Sequence, residues 1–291
     1  MTNKLFNTKI GLALGGGAAK GIAHVGVLKA LEDQKVNIRY IAGTSVGAII
    51  ASLYAFNVSV DDIGGLAKRL TMSKVTSFKL SKTGFFTTAS LRDLMVEYIG
   101  EVNIEDAKIS LAIVATDIRN GEEIILRRGS VADAVCASAA IPGIYIPVEI
   151  DNKSLVDGGL VQNVPIEALQ AMGAGVTIAS HLNSASQYSE ISHVLDVMRN
   201  AFEIAVSHHT QDQLKDADVI ISMDVSEFSL RDNTDRYDEL FAIGYDTAGQ
   251  QLSKLVWYKK RNVLLYPWRA AKEIAPFKVP EALKRASNKQ D

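Results

Sequence analysis

The chain has 291 residues, enough for one large α/β domain with an extension or for two small domains. Hydrophobic residues make up 47% and charged residues 22%, which excludes a chain that is disordered throughout. The single cysteine, Cys136, excludes a framework of internal disulfides and is compatible with a reducing compartment.

The net charge of −2 is unevenly distributed along the chain. From Lys254 onward, ten Lys or Arg and three Asp or Glu give +7, which leaves −9 for the preceding part. This asymmetry predicts an acidic body with a basic C-terminal tail, and the acidic body argues against nucleic-acid binding. The longest apolar run, Val46 to Phe56, is about half of a membrane span, and the run Ile10 to Leu14 is shorter than a signal h-region. We therefore expect a cytoplasmic protein.

The predicted elements alternate between strands and helices along most of the chain. Predicted strands are short apolar runs, and predicted helices have apolar residues three and four positions apart. In chain order they are a strand at 9–14, a helix from 22, a strand at 40–42, a helix to 56, a helix at 61–70, a helix at 91–99 capped by Ser90, a strand at 110–118 with its hairpin mate at 122–127, a helix at 131–139, strands at 146–150 and 154–156, a helix at 166–172, a strand at 176–179, an amphipathic helix at 191–208 with Ile191 and Val194 on its apolar side, a strand at 219–223 and a helix at 240–256. This alternation predicts an α/β fold with a largely parallel sheet.

A glycine-rich segment, Gly15 to Gly21, joins the first strand to the first helix. Such a turn points backbone N–H groups at one spot, which can bind an anion. A phosphate P-loop is excluded because no Gly-Lys-Ser/Thr follows. Two hypotheses remain open on this motif alone. A dinucleotide site is disfavoured by Ala18 at the central glycine position, and an oxyanion hole is the alternative.

The segment Gly43-Thr44-Ser45-Val46-Gly47 matches G-x-S-x-G between a strand and a helix. In such a nucleophile elbow the serine occupies a strained turn, at a cost of about 1–3 kcal/mol, so that its hydroxyl projects from the sheet edge. Gly43 and Gly47 are expected because the turn packs tightly against neighbouring backbone. A chance match is the alternative, but the strand–turn–helix context favours Ser45 as a nucleophile.

The base for Ser45 is less obvious from the pattern. Of the five histidines, only His181 follows a predicted strand in a loop position that suits a Ser-His-Asp triad. The segment Asp157-Gly158-Gly159 instead offers a carboxylate that leaves a strand into a glycine turn. An Asp with a pKa near its ordinary value of about 3.9 is a weak base, so this role requires a raised pKa or a tight hydrogen bond.

The three motifs in this order resemble those of the patatin-like phospholipases. The similarity covers the run Leu12 to Leu28, Ala115-Thr116-Asp117, and the run from Ala137 to Gly143, and it extends over roughly Ile10 to Ser180. The resemblance implies a three-layer α/β/α sandwich with a largely parallel central sheet. It also implies a Ser–Asp dyad that cleaves lipid esters through an acyl-enzyme, with no metal and no cofactor.

Carried onto this chain, the resemblance makes Ser45 the nucleophile and Asp157 its base. The amides of Gly16, Gly17 and Ala18 would form the oxyanion hole, and Gly158 and Gly159 would form the turn after the base. Many family members have glycine where this chain has Ala18. The Ala18 amide remains available, and we expect the oxyanion hole to be intact if φ at Ala18 is negative. For Lys20 we expect a structural role at the glycine loop.

The remaining expectations concern organisation and partners. We predict a patatin-like catalytic domain at 1–223 and a helical extension with a basic tail at 224–291. The expected substrate is a phospholipid or another acyl ester. Residues 71–89, which include Phe85 and Phe86, are a candidate lid or an ordinary loop. The tail would contact anionic membranes peripherally, with interfacial aromatics at Trp257, Tyr258, Tyr266 and Trp268.

Two other function classes remain open on the sequence. An acyltransferase would use the same elbow serine with a histidine base, for which His181 is the candidate. A catalytically silent regulatory or interaction protein would keep the fold without turnover.

Overall fold

The computed structural model describes residues 9–69, 77–78, 83–183, 190–228 and 235–261. Ten strands are described, eight in one sheet and two in a separate pair. They are β1 (Ile10–Leu14), β2 (Ile38–Thr44), β3 (Ser77–Phe78), β4 (Phe86–Thr87), β5 (Ser110–Asp117), β6 (Glu122–Leu126), β7 (Val148–Ile150), β8 (Lys153–Asp157), β9 (Val176–Asn183) and β10 (Val219–Asp224). Strands β3 and β4 form the separate antiparallel pair.

Eight α-helices are described alongside these strands. They are α1 (Ile22–Asp33), α2 (Val46–Ala55), α3 (Val60–Arg69), α4 (Ala89–Ile99), α5 (Val131–Ser138), α6 (Ile166–Ala171), α7 (Val194–Leu214) and α8 (Tyr237–Arg261). Short 3-10 turns lie at Ala18–Gly21, Ile104–Asp106 and Gly158–Leu160.

The large sheet has the strand order β10-β9-β1-β2-β5-β8-β7, and β6 also pairs with β5. The five strands from β10 to β5 run parallel, whereas β6, β7 and β8 join through antiparallel pairs. The predicted α/β fold with flanking helices and a largely parallel sheet is confirmed. Parallel strands end at one edge, so the turns after β1 and β2 lie side by side.

A row of four alanines crosses the centre of the sheet. Ala179, Ala13, Ala42 and Ala112 are register partners on β9, β1, β2 and β5, and all are fully buried. They form one core cluster with side chains of α6, including Leu169. Because their side chains are single methyl groups, α6 can pack close to this face of the sheet.

On another part of the molecule, α1 and α8 are in backbone contact through two glycines. A methyl group added at Gly26 of α1 would overlap the Phe241 carbonyl oxygen, and one added at Gly244 of α8 would overlap the Ala23 carbonyl oxygen. The contact is extended by Tyr245, whose hydroxyl donates to Asp33 Oδ2 at 3.1 Å. The backbones of α1 and α8 are therefore in direct contact at Gly26 and Gly244, where no side chain separates them.

Several element boundaries differ from those predicted, and three of the differences have a local cause. Helix α4 begins at Ala89 with Thr88 as its N-cap residue, so the prediction that Ser90 caps it is wrong. The Thr87 hydroxyl accepts from the Ala89 N–H at 3.0 Å, which starts the helix earlier. Strand β9 continues to Asn183 through its pairing with β10. Helix α7 begins only at Val194 because His193 caps it in a capping box, and it continues to Leu214.

Residues up to Gln251 form one compact unit, and Leu252–Asp291 form a second unit, of which only the end of α8 is described. The predicted division at residue 223 stays a prediction. The basic tail beyond Arg261, with Tyr266 and Trp268, lies outside the described residues. Within the described ranges, none of the helices combines the length and the apolar character needed to span a bilayer.

The glycine contact predicts an effect on stability. Gly26→Ala should lower the free energy of unfolding by about 1–3 kcal/mol, because the new methyl group forces α1 and α8 apart. Gly65→Ala is the matched control, since a methyl group added there on α3 has no neighbour within 4 Å. That variant should be more stable by about 0.5–1 kcal/mol, because alanine favours helix. Urea unfolding measures both, and equal effects at the two sites would contradict the contact.

Candidate active site

Ser45 lies on a sharp turn between the end of β2 and the start of α2. Its backbone has φ 55° and ψ −125°, a left-handed value of φ that residues with a Cβ rarely adopt. The Ser45 carbonyl oxygen accepts from the N–H groups of Ala48 and Ile49 at 2.9 and 3.3 Å. This is the strained strand–turn–helix geometry of a nucleophile elbow.

Glycines on either side of Ser45 allow this turn to form. A methyl group added at Gly47 would overlap the Leu14 carbonyl oxygen and lie 2.7 Å from that of Gly15. One added at Gly43 would overlap the Gly47 carbonyl oxygen. The elbow therefore packs directly on the end of β1 and the start of the glycine loop, which brings the two sequence motifs together.

Ser138, at the end of α5, secures the elbow from a distant part of the chain. Its hydroxyl accepts from the Ser45 N–H at 2.9 Å and donates to the Val114 carbonyl oxygen of β5 at 2.6 Å. The residue is fully buried. It lies within the run from Ala137 to Gly143 that carries part of the family resemblance, but nothing in that small-residue run indicated this role.

Asp157 ends β8, and its backbone is bonded on both sides. Its N–H donates to the Ala140 carbonyl oxygen at 2.8 Å, and its own carbonyl oxygen accepts from the Thr116 hydroxyl at 2.9 Å. Its Oδ1 atom accepts from the Gly159 N–H at 2.8 Å. A methyl group added at Gly158 would overlap the Val114 carbonyl oxygen. The glycine turn thus holds the carboxyl group in place.

The carboxyl group of Asp157 is only 1% exposed. Burial raises its pKa to about 7, against opposing effects of the Gly159 N–H and of the Ser45 hydroxyl. Its Oδ2 atom is buried and has no hydrogen bond of ordinary geometry with a described residue. We take the Ser45 hydroxyl to be close to the carboxyl group without a fully formed hydrogen bond. The structure thus brings Ser45 together with an acid of near-neutral pKa.

The glycine loop differs from its prediction in two respects. The Gly16 N–H donates to the carbonyl oxygen and Oδ1 of Asn163 at 3.2 and 3.1 Å, so this amide is already engaged. Ala18 has φ 50°, where a negative value was expected. The amides of Gly17 and Ala18 make no hydrogen bond with the part of the chain that the structure describes. A methyl group added at Gly16 would lie 3.3 Å from Ser45 Cβ, so the loop lies against the elbow.

His24 supports the glycine loop from the first turn of α1. Its Nε2 lies 2.9 Å from the Gly15 carbonyl oxygen and its Nδ1 lies 2.8 Å from the Ser180 hydroxyl. A carbonyl oxygen only accepts, so Nε2 carries the proton and Nδ1 accepts from Ser180. Burial lowers the pKa of this fully buried imidazole to about 4, which keeps it neutral at pH 7. His24 is therefore a structural residue of the loop.

Asn163 and Thr210 connect the glycine loop to α7. Asn163 Nδ2 donates to the Thr210 hydroxyl at 3.1 Å, and that hydroxyl donates to the Val206 carbonyl oxygen at 2.7 Å. Sequence reasoning missed both residues, because neither belongs to a recognisable motif and their contacts span 47 residues or more of chain. Their bonds explain why the Gly16 amide turns away from Ser45.

The prediction of a loop position for His181 is wrong, because β9 extends past it. His181 is a register partner of Ser222 on β10, and burial lowers the pKa of its imidazole to about 4. Strands β9 and β8 are both two positions from β2, but Asp157 interacts with the Ser45 hydroxyl, whereas burial alone shifts the pKa of His181. His193 caps α7, and His208 and His209 are exposed on that helix. Asp157 is therefore a better candidate for the base of Ser45 than any of these histidines.

Two further predictions concern the surroundings of the site. Lys20 is 8% exposed, and its burial lowers its pKa, against the opposing charges of Glu203 and Asp224. Of the candidate lid at 71–89, residues 71–76 and 79–82 lie outside the described residues. Phe85 is exposed, while Phe86 packs in a cluster with Tyr145. Across the described ranges, no three His, Cys, Asp or Glu residues are grouped so as to hold a metal ion.

The raised pKa of Asp157 predicts a pH-dependent stability difference. The folded state holds this proton more tightly than the unfolded state, so the carboxyl favours folding below pH 3.8 and loses that contribution as the pH rises to about 7. Asp157→Asn removes this loss. The difference in free energy of unfolding, variant minus parent, should therefore rise by about 1.4 kcal/mol per pH unit between roughly pH 4.5 and 6.5. Above pH ~7.5 this difference should become constant. Urea unfolding across this range measures the difference, and a constant difference would contradict the raised pKa.

Comparison with known proteins places this geometry in a family. The family model for patatin-like phospholipase matches residues 12–169, which contain the glycine loop, Ser45 and Asp157. An uncharacterized NTE family protein of Mycobacterium bovis is 34% identical over 180 residues, covering 61% of this chain and 50% of that protein. Lysophospholipase NTE1 of Yarrowia lipolytica is 32% identical over 181 residues, covering 60% of this chain and 13% of that enzyme. The chain thus matches half or less of these curated relatives.

Solved structures support the fold. VipD from Legionella pneumophila aligns with a TM-score of 0.51 at 16% identity, covering 85% of this chain and 67% of that one. ExoU from Pseudomonas aeruginosa, in its complex with SpcU, aligns with a TM-score of 0.51 at 14% identity, covering 85% and 52%. The family match spans more than half of the chain and contains both the elbow and the aspartate turn. The chain belongs to the patatin-like phospholipase family.

Proposed function

We propose that this protein is a serine hydrolase of lipid acyl esters that uses Ser45 as nucleophile and Asp157 as general base. The observation that carries the proposal is the buried carboxyl group of Asp157, with a pKa of about 7, next to a serine held in a strained elbow. A base whose pKa lies near the working pH combines the ionised form with useful basicity. No histidine is needed for this chemistry.

The first half of the proposed reaction forms an acyl-enzyme. Ionised Asp157 accepts the proton of the Ser45 hydroxyl while Oγ bonds to the ester carbonyl carbon, and the carbonyl oxygen becomes an oxyanion. The tetrahedral intermediate then collapses. The bond to the alcohol oxygen breaks, that oxygen takes the proton from Asp157, and the acyl group remains on Ser45.

The second half returns the enzyme to its starting state. Asp157 accepts a proton from a water molecule, whose oxygen bonds to the acyl carbon. When this second tetrahedral intermediate collapses, the bond to Ser45 Oγ breaks and Oγ recovers the proton from Asp157. The fatty acid leaves, and both side chains are as they began.

For the oxyanion hole we propose the amides of Gly17 and Ala18, which make no hydrogen bond with the described residues, although the φ of Ala18 is 50° and not negative as expected. Both follow Gly16, whose position against Ser45 Cβ brings the loop to the nucleophile. The bonds from the Gly16 N–H to Asn163 remove that amide from the set and anchor the loop instead. One such donor typically contributes about 2.7–4 kcal/mol to transition-state stabilisation.

An apolar cluster beside the site supports an acyl substrate. Its buried members are Ala140, Ile144 and Tyr145, and partly buried side chains pack against them, namely Phe86, Ile141, Leu195 and Met198. Ala140 accepts the hydrogen bond from the Asp157 N–H, so the cluster adjoins the proposed base. The name of the Yarrowia relative, lysophospholipase, supports a phospholipid-derived ester as the substrate class.

The two alternative functions make different demands on the site. An acyltransferase with His181 as base would need that imidazole to interact with Ser45, whereas the Ser45 hydroxyl interacts with Asp157 and burial alone shifts the pKa of His181. A catalytically silent protein would have no use for a strained Ser45 beside a buried, near-neutral carboxyl group. The geometry therefore favours the hydrolase.

Labelling with a fluorophosphonate tests the nucleophile. The protein should react covalently, and Ser45→Ala should abolish the labelling and lower ester hydrolysis by at least about 10³-fold, because the acyl-enzyme cannot form. His181→Gln, a variant of another buried residue of the same edge, should keep the labelling. A folded protein without labelling, or loss of labelling only in His181→Gln, would contradict the proposal.

The pH dependence of hydrolysis tests the base. Asp157 acts when ionised, so kcat/KM for a water-soluble p-nitrophenyl ester should rise with pH through about 7 and then reach a plateau. Asp157→Asn should lose about 10²–10⁴-fold in kcat/KM and no longer show that rise. A pH profile that is unchanged in Asp157→Asn would assign the base elsewhere.

A further inference from the structure

The exposed side of the first half of α7, from Val194 to Ile204, is apolar. Val194, Val197 and Ile204 are 64%, 48% and 40% exposed, and Ala201 between them is exposed as well. Their spacing of three, four and three residues places them on one side of the helix, over a length of about 15 Å. We call these four residues the outer stripe. It contains no charged or hydrogen-bonding side chain.

The inner side of the same helix carries polar groups. Asn200 and Thr210 are buried, and burial raises the pKa of Glu203. Apolar side chains of α7 also face inward, including Leu195 and Met198, whereas an ordinary surface helix has polar side chains outward, so the apolar outer side of α7 is the unusual feature. The sequence pattern assigned Val194 and Ile191 to the buried side, but they are 64% and 65% exposed. An apolar stripe that stays exposed on a helix whose inner side already packs on the protein indicates an interaction surface.

Helix α7 also lines the candidate active site. A methyl group added at Gly159, two residues after Asp157, would lie 3.2 Å from Val206 and 3.3 Å from Phe202. A methyl group added at Gly143 would overlap the end of the Met198 side chain. The helix therefore separates the active site from the outer stripe by its own diameter, about 10 Å.

We propose that the outer stripe, together with the exposed side chains of Phe85 and Ile191, is the surface by which this protein rests on a lipid bilayer. The proposal rests on the proposed function for its partner, because an enzyme that cleaves lipid esters must take them from a lipid surface. An amphipathic helix lying in the plane of such a surface buries its apolar side about 5–10 Å deep. Phe85 is next to Phe86, which packs against the same buried cluster as Leu195 and Met198 near the start of α7.

The amount of apolar surface favours a bilayer over a second copy of the chain. A stable protein interface needs roughly 800 Å² and 20–30 residues from each partner. The outer stripe with Phe85 and Ile191 offers six. Insertion into lipid needs no complementary partner surface, and each buried methylene adds to the affinity on its own.

The charges around the stripe suit a neutral lipid surface. Asp196 pairs with Arg199 at 3.2 Å and accepts from the amides of Ser192 and His193. On the inner side, Glu203 and Lys20 carry opposite charges. With Asp224, which also interacts with Lys20, and Glu190 beside Ile191, these groups have no net positive charge, so docking through the stripe should not depend on anionic lipids or on low salt. Docking through the basic tail, by contrast, should require both.

The experiment uses the full chain and vesicles of phosphatidylcholine. The parent protein should sediment with the vesicles, and added salt should change its partition coefficient by less than about twofold. Val197→Gln/Ile204→Gln should lower the partition coefficient at least about tenfold, because two aliphatic side chains no longer enter the lipid. Ile118→Gln is the matched control, since Ile118 is 45% exposed but lies outside the stripe, and it should sediment like the parent.

Hydrolysis separates docking from chemistry. The double variant should cleave a water-soluble ester within about twofold of the parent rate and a vesicle-borne ester at least about tenfold more slowly. Thermal melting should show both variants folded, and the single variant Val197→Gln should give an intermediate partition coefficient.

Four outcomes would overturn the proposal: no sedimentation of the parent protein, equal sedimentation of the double variant, binding that appears only with anionic vesicles, or a dimer in light scattering that the double variant loses. Failure of the proposed function is a separate result. If the parent protein sedimented with vesicles but was not labelled by a fluorophosphonate, the docking proposal would stand and the proposed hydrolase activity would be contradicted.

Discussion

The strained backbone at Ser45 is the constraint around which this molecule is arranged. A residue with a Cβ at φ 55° has a cost of about 1–3 kcal/mol, and it persists only where the surroundings leave no alternative. Here the surroundings are Gly43 and Gly47 in backbone contact with the end of β1, and the Ser138 hydroxyl on the Ser45 N–H. The parallel sheet supplies the rigid edge against which these contacts form.

Burial at this edge of the sheet shifts the pKa values of carboxyl groups and imidazoles in opposite directions. Burial disfavours charge, so it raises the pKa of Asp157 to about 7 and lowers those of His24 and His181 to about 4. A single physical cause thus makes a carboxyl group basic enough for catalysis and leaves the nearby histidines neutral. His24 then contributes through its hydrogen bonds to Gly15 and Ser180 instead of through its charge.

Sequence reasoning succeeded where structure is determined locally. A few consecutive residues determine the strand–turn–helix around Ser45 and the glycine turn after Asp157. Most strand and helix positions are determined locally in the same way. It failed for contacts between distant segments, such as Ser138 on Ser45 and Asn163 on Gly16, which span 93 and 147 residues. Hydrophobic periodicity also identifies the apolar side of a helix, but it does not show whether that side faces the core or water. That is why Ile191 and Val194, at the start of this segment, were assigned to the buried side.

The contact of α1 with α8 has a consequence for the smallest polypeptide that can fold. Gly26 of α1 leaves its backbone bare, and the backbone of α8 around Phe241 and Gly244 covers it. A fragment that stopped at residue 223 would keep every residue of the family match but would expose this groove to water. We therefore expect an autonomous fragment to require the chain as far as Gln251, where the first compact unit ends. The part of α8 before Leu252 therefore belongs structurally to the catalytic unit, although it carries none of the three motifs.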